Sequence, residues 1–250
     1  MRGRRGWRAS VVWLAAFAAA CGEVRLVDPT VTGVPVAGGL IEVGERTGEG
    51  RARLVFQGYV YGFERRGDRR IVRYLDAGRI VVGGRVAARR FVRAGEPVYR
   101  LDTGIAGARP VVEVRMTGSD AVPSCTFEAV VPVVDAPADG AVVPRAVDLV
   151  VPVAALGDAS APPDGLYASA EVEDGAGQSY RIDLVPSRTA AGVAVVVPAD
   201  FLGRAAVGSA ELTVRIERER ASGASGGVPP CAPALLARAW SERSVTVHLE

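Results

Sequence analysis

Apolar and polar residues alternate along much of the chain beyond residue 50, and this alternation indicates the fold class. Residues 51–61, 111–117 and 210–217 each place apolar side chains on one face and mostly polar side chains on the other. A period of two is typical of a strand with one buried face. The sequence therefore predicts an all-β protein.

Turn residues separate these segments about every 8 to 12 residues, a spacing that favours a sandwich or a barrel. A hairpin is predicted over residues 170–184, with its turn at residues 174–177. Further strands are predicted at residues 40–43, 71–75, 125–134, 147–153, 193–197 and 245–249. A single helical turn is predicted at residues 234–239.

Proline, glycine and acidic residues cluster at residues 135–140, which indicates a linker. We therefore predict two consecutive antiparallel β-sandwich domains, residues 39–135 and 136–250. Residues 51–115 carry 15 arginines against 6 acids, whereas residues 116–250 carry 9 against 17. The first domain is expected to be basic and the second acidic.

Four arginines share one side of residues 79–93 if this segment is a single strand. They are Arg79, Arg85, Arg89 and Arg93, opposite the apolar set Ile80, Val82, Val86 and Val92. Guanidinium groups bind phosphates and carboxylates, so these arginines are predicted to bind an anionic lipid, a cell-wall polymer or a partner protein. The alternative is an ordinary solvated face that keeps the sheet soluble. Nucleic acid is not an expected partner.

The first residues have the composition of an export signal. Four arginines precede an apolar run of residues 9–20, which ends in small residues directly before Cys21. A run of roughly 12 residues is shorter than the about 20 that a membrane-spanning helix needs. Beyond Cys21 no apolar run approaches that length. Residues 1–20 are therefore predicted to be a cleaved signal peptide.

Small residues followed by Cys21 make this segment resemble a bacterial lipoprotein signal. The resemblance implies that Cys21 is lipidated and that residues 21–38 tether the chain to a membrane. It also implies the outer membrane, because Gly22 stands where aspartate commonly signals retention. Ala18 replaces the usual leucine, and residues 18–20 also satisfy ordinary signal cleavage, which would release a soluble periplasmic or secreted protein. An uncleaved apolar N-terminus is a third alternative.

Two short segments of the second half, residues 137–144 and 197–203, give it a loose similarity to bacterial immunoglobulin-like or fibronectin-III-like modules. The half lacks the Cys-Trp-Cys set of antibody domains. The resemblance implies an architecture and no activity.

Candidate catalytic and metal-binding residues are scarce. The sole histidine, His248, falls on the polar side of the last predicted strand, and the three cysteines are far apart. The sequence therefore predicts no metal and no cofactor. Asp102 lies in an Asp-Thr-Gly triplet like that of aspartic proteases, but these residues are also common in turns. A hydrolase that uses Asp102 is an alternative to the non-catalytic interpretation.

Lipidation of Cys21 would leave Cys125 and Cys231 as an even pair in an oxidising compartment, so we predict a disulfide between them. The alternative is that Cys125 is a small buried core residue and Cys231 a loop thiol. Taken together, the sequence predicts an envelope lipoprotein that acts as a non-catalytic binding or scaffold module.

Overall fold

The computed structural model describes residues 36–48, 51–92, 96–106, 111–135, 137–154, 165–190, 192–221 and 235–250. Within these ranges the chain forms 18 strands and one four-residue helix, α1 (Ala199–Leu202). The prediction of an all-β protein is confirmed.

The first nine strands are β1 (Val36–Gly48), β2 (Arg51–Arg66), β3 (Arg69–Leu75), β4 (Ile80–Val82), β5 (Arg85–Val86), β6 (Ala88–Val92), β7 (Glu96–Ile105), β8 (Val111–Met116) and β9 (Cys125–Val130). The other nine are β10 (Val133–Val134), β11 (Ala141–Val143), β12 (Leu149–Ala154), β13 (Leu166–Asp174), β14 (Ser179–Leu184), β15 (Ser187–Thr189), β16 (Gly192–Val197), β17 (Gly208–Ala221) and β18 (Leu235–Leu249).

These strands form three sheets. The largest has ten strands in the order β14-β13-β17-β18-β1-β2-β7-β6, with β11 beside β18 and β3 beside β2. The two smaller sheets have the orders β5-β4-β8-β9 and β10-β12-β16-β15. Both small sheets share hydrophobic clusters with the large sheet, which therefore has an inner face toward the cores and an outer face.

The first and last described strands lie side by side in the middle of the large sheet. β1 and β18 are parallel, in a register that runs from Gly39 opposite Leu235 to Thr47 opposite Arg243. β11 is also parallel to β18, so the predicted pairing, purely antiparallel, is wrong at these two places. β18 also pairs with β17 from Leu236 to Leu249. One strand therefore connects the two halves of the chain.

Two hydrophobic clusters lie beneath this one sheet. The first joins β1 and β2 to β4, β8 and β9, with Phe56 and Val114 among its buried side chains. The second joins β13, β17 and β18 to β12 and β16, and includes Val195 and Leu212. The clusters divide the described chain between Val131 and Val134, except that Ala239 of β18 belongs to the first. The division into domains at residue 136 stays a prediction, and that residue lies outside the described ranges.

Strands with a clear period of two agree well with the predictions. In β8, Val112, Val114 and Met116 are at most 1% exposed, and the inner residues of β17 are buried in the same way. The predicted helical turn at residues 234–239 is wrong, because residues 235–239 belong to β18 and pair with β1, and residues 236–239 also pair with β17. Residue 234 lies outside the described ranges. Val147, predicted to face the core, precedes β12 and is 59% exposed.

Candidate functional site

A cleft with a volume of about 730 Å³ opens at the inner face of the large sheet, where β18 passes from one core to the other. Twelve residues line it: Glu45, Thr47, Arg51, Ala52, Arg53, Gly104, Ile105, Ala106, Val133, Val134, Ser241 and Arg243. They come from β1, β2, β7, β10 and β18, with Ala106 directly after β7. The cleft therefore joins residues of both halves.

Polar groups of β1 and β18 meet in this cleft. Glu45 and Ser241 are register partners, each 7% exposed, and the Thr47 hydroxyl donates to Oε1 of Glu45 at 3.3 Å. Arg243 lies opposite Thr47 and its Nη1 donates to the Val134 carbonyl at 3.5 Å. Its buried Nε has no hydrogen-bond partner within the described part of the chain. Polar groups beside apolar walls are the usual composition of a ligand site.

The opposite, outer face of the same strands carries a network of ion pairs. Arg238 lies 3.1 Å from Glu219, 3.5 Å from Glu217 and 3.7 Å from Glu42. Because burial disfavours its charged form, the pKa of Glu42 is raised, although the Arg238 charge acts in the opposite direction. The network crosses β1, β18 and β17 and thus spans the junction between the halves.

Trp240 lies in the middle of this network and is 6% exposed. The Arg215 guanidinium is 4.5 Å and that of Arg46 5.9 Å from the indole ring. The ring covers the backbone of Gly44, its register partner on β1. A Cβ added to Gly44 would lie 2.1 Å from an indole carbon. The close approach of β1 to Trp240 therefore requires a glycine at position 44.

The predicted row of arginines on residues 79–93 is not one strand face. Gly83 and Gly84, with φ of 54° and 81°, make a tight turn that splits the segment. Val86, expected inside, is 49% exposed, while Ala87 is 4% exposed. Arg93 lies outside the described residues. The prediction that these arginines share one strand face is therefore wrong. Anion binding by them stays a prediction.

Two described members of that row, Arg85 and Arg89, contact other side chains of the protein. Arg85 Nη1 donates to Thr103 Oγ1 at 3.1 Å, and Arg89 forms an ion pair with Asp76. Asp76 Oδ1 also accepts hydrogen bonds from the Tyr99 hydroxyl at 2.5 Å and the Gly78 N–H at 2.9 Å. Asp76 therefore neutralises Arg89, which was predicted to bind an external anion.

A second set of arginines, which the sequence analysis missed, surrounds the turn between β2 and β3. Arg65 lies opposite Arg70, and Arg66 lies opposite Arg69. Gly67, with φ of 59°, permits the tight turn between them. The signal in the sequence was four arginines within six residues, at the point where two alternating strands meet. Arg65, Arg69 and Arg70 are exposed there.

Aromatic side chains continue this surface along the outer face of β2 and β3. The Tyr59 ring is 5.5 Å from Tyr74 and 6.5 Å from Tyr61, which is itself 5.6 Å from Phe63. Arg70 stacks on the Phe63 ring at 4.0 Å. Burial, with the neighbouring tyrosines and Glu42, raises the pKa of the Tyr59 hydroxyl to about 12.

Asp102 is not in a turn. It lies within β7, opposite Val55, and accepts a hydrogen bond from Arg53 Nε at 2.7 Å. The turn that would make its triplet resemble an aspartic protease is absent at this position. His248 is exposed on the outer side of β18, as predicted.

The cysteine predictions fall largely outside the described ranges, because Cys21 and Cys231 are both beyond them. Cys125 begins β9, is 7% exposed and packs in the first cluster. The pairing with Cys231 thus stays a prediction.

Within the described ranges, no helix is long and apolar enough to cross a membrane. The same residues contain no group of three or more histidine, cysteine or acidic side chains placed to hold a metal ion.

No known protein-family model and no curated protein sequence matches this chain. The resemblances of residues 1–21 to a lipoprotein signal and of the second half to an immunoglobulin-like module therefore stay predictions.

Proposed function

We propose that the chain is an exported envelope protein, held on the outer membrane by a lipid at Cys21, that works by binding or as a scaffold. The observation that supports binding is the cleft between the two cores. It combines a buried carboxylate at Glu45, a buried hydroxyl at Ser241 and the Arg243 guanidinium with apolar walls. Donors and an acceptor fixed on strands suit a polar ligand or a peptide segment of an envelope partner.

No catalytic step and no cofactor belong to this proposal. The single candidate acid, Asp102, is bound to Arg53 in a regular strand, an arrangement suited to fixing β7 against β2. The ion pairs around Arg238 support the same role, since a scaffold benefits from strands that hold their register.

Membrane flotation tests the attachment. Full-length protein produced in a bacterium with an outer membrane is expected to float with membranes in high salt, whereas Cys21→Ser is recovered in the soluble fraction. Cys231→Ser removes a cysteine without touching the predicted lipid site and is expected to float like the wild type. A Cys21→Ser variant that still floats in high salt would contradict a lipid anchor.

Site-specific photo-crosslinking in the same cells tests the cleft. A photoreactive residue at Thr47, which lines the cleft, is expected to give a discrete adduct. The same residue at Thr246, on the outer side of β18, serves as the control. Equal adducts at both positions, or no adduct at Thr47, would count against binding in the cleft.

A further inference from the structure

The tip formed by β2 and β3 (residues 63–73) is rich in arginine. Arg65 on β2 lies directly opposite Arg70 on β3, so two like charges face each other across the strands. Such pairs destabilise a sheet by several tenths of a kcal/mol or more each. The Arg70 guanidinium also stacks on the Phe63 ring, and both Arg65 and Arg70 remain exposed to a ligand of opposite charge.

The tip contains two acids, Glu64 and Asp68. Glu64 accepts a hydrogen bond from Nε of Arg73 at 2.6 Å, and Arg73 is 2% exposed, so this pair lies on the inner side of the hairpin. Asp68 lies at the turn. Residues 63–73 contain five arginines and two acids, a net charge of +3. Arg65, Arg69 and Arg70 are exposed, so the outer side and the end of the tip are cationic.

The tip extends beyond the described end of β1. β1 pairs with β2 only as far as Val36 opposite Gly62. Beyond Gly62, β2 has β3 on one side and no described strand on the other. Phe63 and Tyr61 lie just below the arginines on the outer face, next to Tyr74. A tip that points toward a bilayer brings its exposed arginines to the level of the head groups, where anionic lipids attract them.

The position of the tip relative to Cys21 agrees with such a surface. Val36, the residue opposite Gly62, is only 15 positions after Cys21. Even fully extended, 15 residues span about 50 Å. The turn at Gly67 lies five residues along β2 from Gly62, roughly 17 Å in a strand. A lipid on Cys21 would therefore keep the tip within reach of the bilayer surface.

We infer that the β2–β3 tip binds the anionic head groups of a phospholipid surface, with Arg65 and Arg70 as its outer-face contacts. This inference rests on the proposed lipid anchor for its orientation. The tip therefore orients the anchored chain and fixes the orientation of the cleft relative to the membrane.

Co-sedimentation with vesicles tests the tip without the lipid. The chain from residue 22 onward is expected to bind vesicles in which about a third of the lipid is phosphatidylglycerol, and not vesicles of phosphatidylcholine alone. Each arginine near an anionic surface is worth about 5-fold in affinity, so the double variant Arg65→Gln/Arg70→Gln is expected to bind about 25-fold more weakly. Arg181→Gln/Arg204→Gln changes two exposed arginines of the other half and is expected to bind like the wild type.

Circular dichroism of each variant establishes that it is folded before binding is compared. Unaltered binding by the folded tip variant, or equal binding to neutral vesicles, would overturn the inference. Tighter binding to soluble polyglutamate than to anionic vesicles would also overturn it and assign the tip to an acidic polymer. Because the chain from residue 22 lacks Cys21, either result leaves the proposed lipid anchor to be judged by flotation alone.

Discussion

Replacing Gly44 by alanine is expected to loosen the junction between the two halves, because Trp240 occupies the space of the new methyl group. Three indole atoms lie 2.1 to 2.6 Å from the position of that Cβ, well inside contact distance. The ring must therefore move away from β1 and lose its contact with Arg215. Forcing a methyl group into a filled site costs about 1–3 kcal/mol. The cation–π contact contributes about 0.5–1 kcal/mol more.

Alanine also has a small advantage in a strand, about 0.5–1 kcal/mol, because glycine loses more backbone entropy on folding. The net loss for Gly44→Ala is therefore about 2 kcal/mol. Loss of the whole ring contact sets an upper limit of about 3–5 kcal/mol, the cost of truncating a buried tryptophan.

Tryptophan fluorescence during urea unfolding measures this change at the site itself. The chain has three tryptophans, and Trp7 and Trp13 precede residue 22, so the chain from residue 22 retains only Trp240. Gly44→Ala is expected to shift the native emission to longer wavelength and to lower the midpoint of unfolding.

Gly48→Ala is the matched control, because its Cβ would meet Ser244 at 3.7 Å, an ordinary contact. It lies in the same strand and is expected to keep the emission and the stability of the wild type. If Gly44→Ala were within about 0.5 kcal/mol of the wild type with unchanged emission, the packing of Trp240 on β1 would be refuted.

Three further predictions concern single groups. Tyr99→Phe removes the hydroxyl that accepts the N–H of Ala77, a residue that is 0% exposed. The free energy of unfolding in urea is expected to fall by about 1–3 kcal/mol, whereas Tyr61→Phe on the outer face is expected to change it little. Because the pKa of Glu42 is raised, the folded chain binds a proton at this carboxyl more tightly than the unfolded chain. Protonated Glu42 therefore stabilises the fold at low pH. This stabilisation is lost as the pH rises from the ordinary carboxyl range through the raised pKa. Glu42→Gln is therefore expected to be at least as stable as the wild type at neutral pH and to lack that part of the pH dependence. A variant clearly less stable at neutral pH would show that the ion pair with Arg238 contributes more stability than the burial of the Glu42 charge costs. Peptide mapping without reduction is expected to link Cys125 to Cys231, and a link to Cys21 or a free Cys231 thiol would exclude that pairing.

The sequence predicted those strands in which burial alternates strictly with position. Val112, Val114 and Met116 are an example, since each strand residue on the core face is apolar and each neighbour is not buried. It misassigned residues 234–239, where alanine and leucine favour a helix locally but pairing with β1 and β17 imposes a strand. It also missed the break at Gly83 and Gly84, because alternation continues on both sides of the turn.

The candidate site depended on contacts that are distant in the sequence. The parallel pairing of β1 with β18 brings Glu45 beside Ser241 and Gly44 beneath Trp240, and nothing local to either strand encodes it. The same limit explains why the ion pair of Arg89 was not predicted. Arg89 could be recognised as a cation, but its neutralisation by Asp76 depends on how β6 packs against the loop after β3.

The mass of the intact mature protein tests the proposed function most directly. Protein extracted with mild detergent from the membranes of the bacterium that produces it is expected to begin at Cys21 and to carry the added mass of acyl chains on that residue. A mature chain that begins near residue 21 without any acyl mass would contradict the lipid anchor and assign the protein to the soluble periplasmic or secreted class.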